Sequence, residues 1–227
     1  MTQITDHLAK VRARVRNAAS VAGRSAAEIT IVAVSKRQPP NVIDAAYRAG
    51  QREFGESFVQ EALGKIDVLD LPGVEWHFIG RVQSNKTRDI AHVFDWVHTV
   101  DRFKVAQRLN EQRPHYAAPL NVCLQVNLAK EARKAGVTEE LAPALALEVA
   151  NLERLRLRGL MTIPPADSTP AQTTALFDRL RELRQEISAL GVPLDTLSMG
   201  MSVDLEIAIG CGSTIVRVGT AIFGARA

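Results

Sequence analysis

Ile31-Val32-Ala33-Val34-Ser35-Lys36 is the stretch on which the fold turns. Four consecutive apolar residues, three of them β-branched, read as a strand buried on both faces, as in a parallel sheet. Pro39-Pro40 closes the run, and Asn41 is placed to cap the next helix. A lysine at the C-terminal end of such a strand sits where α/β proteins put their chemistry. Desolvation there disfavours the ammonium form and frees the amine to attack a carbonyl. The same residue also fits a snorkelling or salt-bridged lysine, so the choice depends on what the rest of the chain brings to that end.

Outward from this strand, helical and strand patterns alternate. Leu8, Val11, Val15, Ala18, Ala19 and Ala22 form a helical stripe that stops at Gly23. After Lys36 come a helix over 41–49, a strand over 52–56, a helix over 57–69 and a strand over 74–80. A helix over 84–93, capped by Ser84 or Asn85, precedes a strand over 96–100. Asp101 is placed to cap the helix that Pro114 ends, and Leu120, Val122, Leu124 and Val126 mark a half-patterned fifth strand. A helix reaching Ala150 has its start blurred by Pro143, and Leu155 to Met161 reads as strand six. Thr169-Pro170-Ala171-Gln172 is a capping box. It opens a helix whose inward face is Leu176, Phe177, Leu180, Leu183, Ile187 and Leu190. Strand seven over 194–197, a short helix over 203–209 and strand eight over 214–218 complete the set. Eight strand–helix units with an extra N-terminal helix predict a single (β/α)8 TIM barrel in one domain over 1–227; an open doubly wound sheet is the competitor. Closure would set strand one beside strand eight.

Composition narrows the function. Hydrophobic residues make up 46% of the 227 residues and charged residues 23%, ordinary for a globular domain. The net charge of +3 is dispersed without a long basic run, which argues against nucleic acid and leaves small anions open. Cys123 and Cys211 read as packed thiols in a reducing cytoplasm, and the start shows no signal pattern or membrane-length stretch. Two cysteines and five scattered histidines lack metal-ligand spacing, so no metal is expected.

Two glycine- and hydroxyl-rich turns follow the last strands: Ser198-Met199-Gly200-Met201-Ser202 and Gly219-Thr220-Ala221-Ile222-Phe223-Gly224. In barrels, loops after strands seven and eight commonly bind phosphate, with glycines admitting the anion to backbone N–H groups. Arg217 precedes the second turn by two residues and is placed to point inward, although a structural ion pair is the other reading. His77, Arg81, Gln83, Asn85 and Lys86 fall around the same mouth or in a solvated loop. A phosphate cradle beside a desolvated lysine suggests a phosphorylated aldehyde held as a Schiff base, with pyridoxal 5′-phosphate (PLP) the leading candidate.

Several motifs in order resemble the pyridoxal phosphate homeostasis protein family, related to the barrel domain of alanine racemase. They are Ala33-Val34-Ser35-Lys36, Phe54-Gly55-Glu56, His77-Phe78-Ile79-Gly80, Gln83-Ser84-Asn85-Lys86, Gly159-Leu160-Met161, Leu197-Ser198-Met199-Gly200-Met201-Ser202 and 216–224. Ser57 stands where the family usually has asparagine, and Val82 where it usually has leucine. The resemblance implies that Lys36 carries PLP as an internal aldimine. It also implies that Ser198, Ser202, Gly219 and Thr220 hold the phosphate and that Arg217 faces the pyridine nitrogen; Gly200, in the first turn, is counted with the cofactor-binding residues. An arginine there disfavours ring protonation by like-charge repulsion and weakens the electron sink. In the racemase a further domain supplies a tyrosine base opposite the lysine. This chain stops at Ala227, and Tyr47 and Tyr116 match no such motif. The expectation is therefore a cytoplasmic PLP carrier in vitamin B6 homeostasis, a monomer, with apo PLP-dependent enzymes as recipients. A weak amino-acid racemase is the alternative; a Schiff-base aldolase lacks an advertised acid–base partner.

Overall fold

The computed structural model describes residues 3–131 and 134–224. Each apolar run becomes a strand: β1 Thr30–Val34, β2 Glu53–Glu56, β3 Glu75–Phe78, β4 Trp96–Val100, β5 Leu120–Gln125, β6 Leu155–Met161, β7 Thr196–Ser198 and β8 Ile215–Val218. All eight pair in parallel in sequence order and close into a barrel, not an open sheet. At the seam Val32 lies opposite Arg217 and Ala33 opposite Val218, so the end of β1 and the loop after β8 share one mouth.

The helices are α1 Gln3–Val21, α2 Pro40–Arg48, α3 Val59–Val68, α4 Thr87–Val93, α5 Phe103–Gln112, α6 Ala142–Ala150, α7 Pro170–Ala189, α8 Leu205–Gly210 and α9 Thr220–Phe223. Among the described residues no helix is long and apolar enough to cross a membrane. α1 lies over α8 and α9 and braces them: His7 Nδ1 sits 2.9 Å from the Ile222 carbonyl, and Arg14 pairs with Glu206 at 2.7 Å.

Local signals succeed where a side chain has an orphan donor to satisfy. Thr169 Oγ accepts from Gln172 N at 3.3 Å while Gln172 Oε1 accepts from Thr169 N at 2.8 Å, completing the capping box. Asn41 and Asp101 do not cap. Pro39 holds the cap position of α2 with Pro40 already in the helix, which leaves one fewer N–H to satisfy. Arg102 caps α5 by backbone alone, and Asp101 accepts from its guanidinium at 2.5 Å instead. Ser84 and Asn85 lie inside a 3-10 turn, Ser84–Lys86, that leads into α4. Pro143 falls in the first turn of α6, where its ring is tolerated. Leu190 is 54% exposed because α7 ends at Ala189 and its buried face stops at Ile187. β5 is buried at every position but Asn121, since helices cover one face and the barrel interior the other.

Two cores result. The outer one, between strands and helices, holds Phe54, Phe78, Phe94, Leu124, Leu160 and Phe177. The inner one is small: Val32, Trp96, Cys123, Met161 and Ile215. His77, His98, Ser198 and Arg217 are also buried, so the interior is unusually polar beside the aliphatic layers that fill most such barrels.

Candidate functional site

Alternation along β1 sends Val32 and Val34 into the barrel and Ser35 outward, which returns Lys36 to the mouth. The chain turns sharply there. Ser35 N donates to Gly55 O at 2.9 Å, Gln38 N donates to Ser35 O at 2.9 Å, and Arg37 takes a left-handed φ of 61°. That conformation is uncommon for a residue with a Cβ, and a buried polar cluster holds it. Lys65 Nζ donates to Ser35 O at 2.8 Å, to Glu56 Oε1 at 2.8 Å and to Glu61 Oε1 at 2.6 Å. Ser35 Oγ donates to Glu56 Oε1 at 2.6 Å, and Arg37 N donates to Glu61 Oε1. Burial pushes the Glu56 carboxyl above its usual range, opposed by Lys65 and Ser35.

Sequence reading missed this cluster. Its signal was a lysine on the buried face of α3, in line with Val59 and Ala62. Lys65→Met will cost about 2 kcal/mol in urea unfolding near neutral pH, a limited loss because Glu56 can neutralise by taking a proton. Unchanged stability would show that the cluster does not hold the turn.

Lys36 is half-buried and lines a recess of about 280 Å³ with Val34, Ile79, Ile163, Met201, Ser202, Val203, Arg217, Gly219 and Thr220. The two strand-end turns thus meet the lysine at the β1–β8 seam. A Cβ on Gly219 would reach only ordinary contact, 3.4 Å, with Val34 Cβ, so packing does not demand the glycine, but the missing side chain leaves this edge of the recess bare. Ser202 Oγ accepts from Ala221 N at 3.3 Å, joining the two turns, and Arg14 Nη2 donates to Ser202 O at 3.0 Å from α1.

Arg217 forms the floor. Its Nη1 donates to Ser198 O at 2.6 Å and Ser198 Oγ at 2.7 Å, and its Nη2 donates to Thr162 O at 3.0 Å. Burial pushes the guanidinium down to about 10, and Asp204 opposes the shift, so it stays cationic at neutral pH. It is not in a structural ion pair with a strand neighbour; backbone carbonyls and a hydroxyl hold it.

Four expectations shift. Ser198, assigned to phosphate, is fully buried, and its hydroxyl is committed to Arg217 and, at 2.7 Å, to His98 Nδ1. Gly200, with φ of 96°, packs against α8, where a Cβ would lie 2.5 Å from Ala208 Cβ, and its carbonyl accepts from Arg217 N at 2.9 Å. His77 lies not at the mouth but inside the barrel, 1% exposed, stacked on Trp96. Arg81, Gln83 and Lys86, with Ser57, line a separate cavity of about 370 Å³ beside α3. His98, whose place in β4 puts it in the interior, was missed because a strand-four histidine carries no motif of its own. Cys123 and Cys211 are buried and free; burial pushes their thiols up to about 12 and about 11. Among the described residues no cluster of three or more His, Cys, Asp or Glu could hold a metal.

Residues 7–227 match the family model "Alanine racemase, N-terminal domain". A pyridoxal phosphate homeostasis protein of Pseudomonas aeruginosa is 56% identical over 227 residues, covering 100% of this chain and 97% of that protein. One from Escherichia coli K12 is 49% identical over 232 residues, covering 100% and 98%. The structure of PipY from Synechococcus elongatus PCC7942 with PLP bound superposes with a TM-score of 0.86 at 38% identity, covering 98% of this chain and 100% of that one. Alanine racemase of Clostridium difficile shares the fold at a TM-score of 0.74 and 14% identity, covering 97% of this chain and 57% of that one. With a closed barrel, a lysine at the end of β1 and near-full-length relatives at such identity, the chain belongs to the pyridoxal phosphate homeostasis protein family, within the alanine racemase N-terminal-domain family.

Proposed function

We propose that the protein binds PLP, holds its aldehyde carbon as a Schiff base on Lys36, and serves as a cytoplasmic carrier in vitamin B6 homeostasis without strong catalysis of its own. The observation that carries this reading is the meeting of Lys36, Arg217 and the 219–220 turn in one recess. The donor set fits the group. Ser202 and Thr220 hydroxyls and the open edge at Gly219 suit a phosphate, and Val34, Ile79, Ile163, Met201 and Val203 suit the faces of a ring. When bound, PLP supplies an electrophilic aldehyde conjugated to a ring that can accept electrons. Arg217 has only N–H donors, so it can hydrogen-bond a ring nitrogen only while that nitrogen is unprotonated. The residues that bind the ligand therefore withhold the pyridinium form that makes it a strong electron sink.

The tyrosines support a carrier. Tyr47 donates its phenol to Pro72 O at 3.0 Å, and Tyr116 is 91% exposed beyond α5; neither lines the recess. The PLP-bound relative and the names of the curated relatives favour the same reading. A monomer and transfer to apo PLP-dependent enzymes complete the proposal.

The test is a visible spectrum of the purified protein with PLP, then borohydride and peptide mapping. A visible band fixed by reduction onto the Lys36 peptide is expected, with no measurable alanine racemisation and with reactivation of an apo-enzyme by the loaded protein. Absence of a band, or label scattered over surface lysines, overturns the binding reading. Alanine turnover lost in Lys36→Ala overturns the carrier reading in favour of the racemase.

A further inference from the structure

Four buried polar side chains run down the barrel axis from the floor of the recess toward its N-terminal end. Arg217 Nη1 is 2.7 Å from Ser198 Oγ, Ser198 Oγ is 2.7 Å from His98 Nδ1, and His98 Nε2 is 2.9 Å from His77 Nδ1. His77 Nε2 is the far end: it is buried without a hydrogen-bond partner, 3.9 Å from Glu75 Oε2. Exposures of 4%, 0%, 0% and 1% along the line keep water from substituting for any member.

The direction of every bond follows from two facts: what a guanidinium can do, and where the Ser198 proton can go. A guanidinium donates and never accepts, so Ser198 Oγ is the acceptor for Arg217. Ser198 has a second lone pair, but among the described residues the only acceptor facing its single hydroxyl proton is His98 Nδ1, so that proton is satisfied only if Nδ1 is bare. A neutral His98 therefore carries its proton on Nε2 and gives it to His77 Nδ1. His77 in turn carries its proton on Nε2, facing Glu75. Burial holds both imidazoles well below their usual range, with Arg217 adding to the effect at His98, so neither is charged at neutral pH.

We propose that His98, acting through Ser198, is a positioning residue for Arg217, and that both barrel histidines are locked as the Nε2–H tautomer in a one-way chain of hydrogen bonds leading away from Arg217. The chain keeps the Ser198 hydroxyl turned as an acceptor, which holds the guanidinium under the recess. His77 supports it by accepting the proton that would otherwise leave His98 unpaired. That the held guanidinium serves PLP rests on the function proposed above; the chain itself does not.

The experiment has two arms. Without ligand, nitrogen NMR of the protein labelled at histidine and arginine is expected to show pyrrole-type Nε2 and pyridine-type Nδ1 on both residues. Arg217 side-chain protons should exchange slowly with solvent. In His98→Leu that exchange accelerates; in His98→Asn, whose amide oxygen replaces Nδ1 as acceptor, it slows again. With PLP added, His98→Leu should bind roughly tenfold more weakly, the loss expected for one hydrogen bond to a charged group, with a displaced absorbance maximum that His98→Asn restores. A proton on Nδ1 of either histidine, or Arg217 exchange and the PLP spectrum both unmoved in His98→Leu, overturns the proposal. Intact tautomers and exchange behaviour in a protein that takes up no PLP would support the chain and remove only the functional reading above it.

Discussion

Between about pH 7 and about pH 4.5 the protein will lose about 3 kcal/mol of folding stability through His77 alone. Burial holds the folded imidazole down to about 3, against an ordinary value of 6.5. The folded state thus stays neutral while the unfolded chain takes up a proton, and the contribution, fully present above 6.5, drains away as pH falls toward 3. His98, lowered chiefly by burial and further by the adjoining His77 and Arg217, adds a loss of the same sign. Glu56 and Asp95 oppose it: burial raises both carboxyls, so each gains relative stability as it protonates. Urea unfolding at the two pH values checks the difference. His77→Asn, which keeps an acceptor near the Nδ1 position but does not titrate, should shrink the loss by about 3 kcal/mol. An equal pH dependence in the variant would mean that His77 is not the buried neutral base described here.

The second large effect concerns Gly159 in β6. Its register partner is Thr196 of β7, and a Cβ at 159 would lie 1.8 Å from the Thr196 carbonyl oxygen. The obstacle is backbone, not the movable end of a side chain, so relief requires β6 and β7 to part at the strand leading to Ser198. Gly159→Ala should cost about 4 kcal/mol, at the upper end for a single added methyl. Gly64→Ala provides the contrast. Gly64 lies within α3 with nothing within 4 Å of its missing Cβ, and alanine there should be neutral or stabilising by about 0.5–1 kcal/mol. Thermal melts of the two variants side by side decide it; equal melting temperatures would refute the close approach at 159.

The architecture was legible because it is written in redundant signals. Strands β4 and β6 match their sequence reading residue for residue, since an apolar run bounded by polar turns leaves little choice of ends. The mouth was legible for a similar reason: Lys36, Ser202, Arg217, Gly219 and Thr220 all lie at ends of strands or just beyond, and closure brings them together whatever the details. What sequence does not encode locally is which polar group answers which. Ser198 and Ser202 are both serines in one glycine-rich turn, but strand alternation sends the first inward beneath Arg217 while the second reaches the recess. Lys65 is one of three lysines in the α-helices, with Lys10 and Lys104, until α3 docks and drives it against Glu56 and Ser35. Asn41 and Asp101 have the chemistry of caps, yet a proline and an arginine took those roles because a cap depends on where the preceding chain arrives.

The seam between β1 and β8 sets when the protein becomes competent at all. The lysine leaves the ribosome early, on the first strand, whereas Arg217 and the 219–220 turn emerge with the last. A chain released before β8 carries the amine but neither the floor nor the open glycine edge of the recess. Domains form from the N-terminus as synthesis proceeds, yet here the last strand of the barrel and the turn after it supply Arg217, Gly219 and Thr220 to the recess. On the function proposed above, occupancy would then mark molecules in which β8 has joined β1, and chains whose barrel is still open would have no such recess.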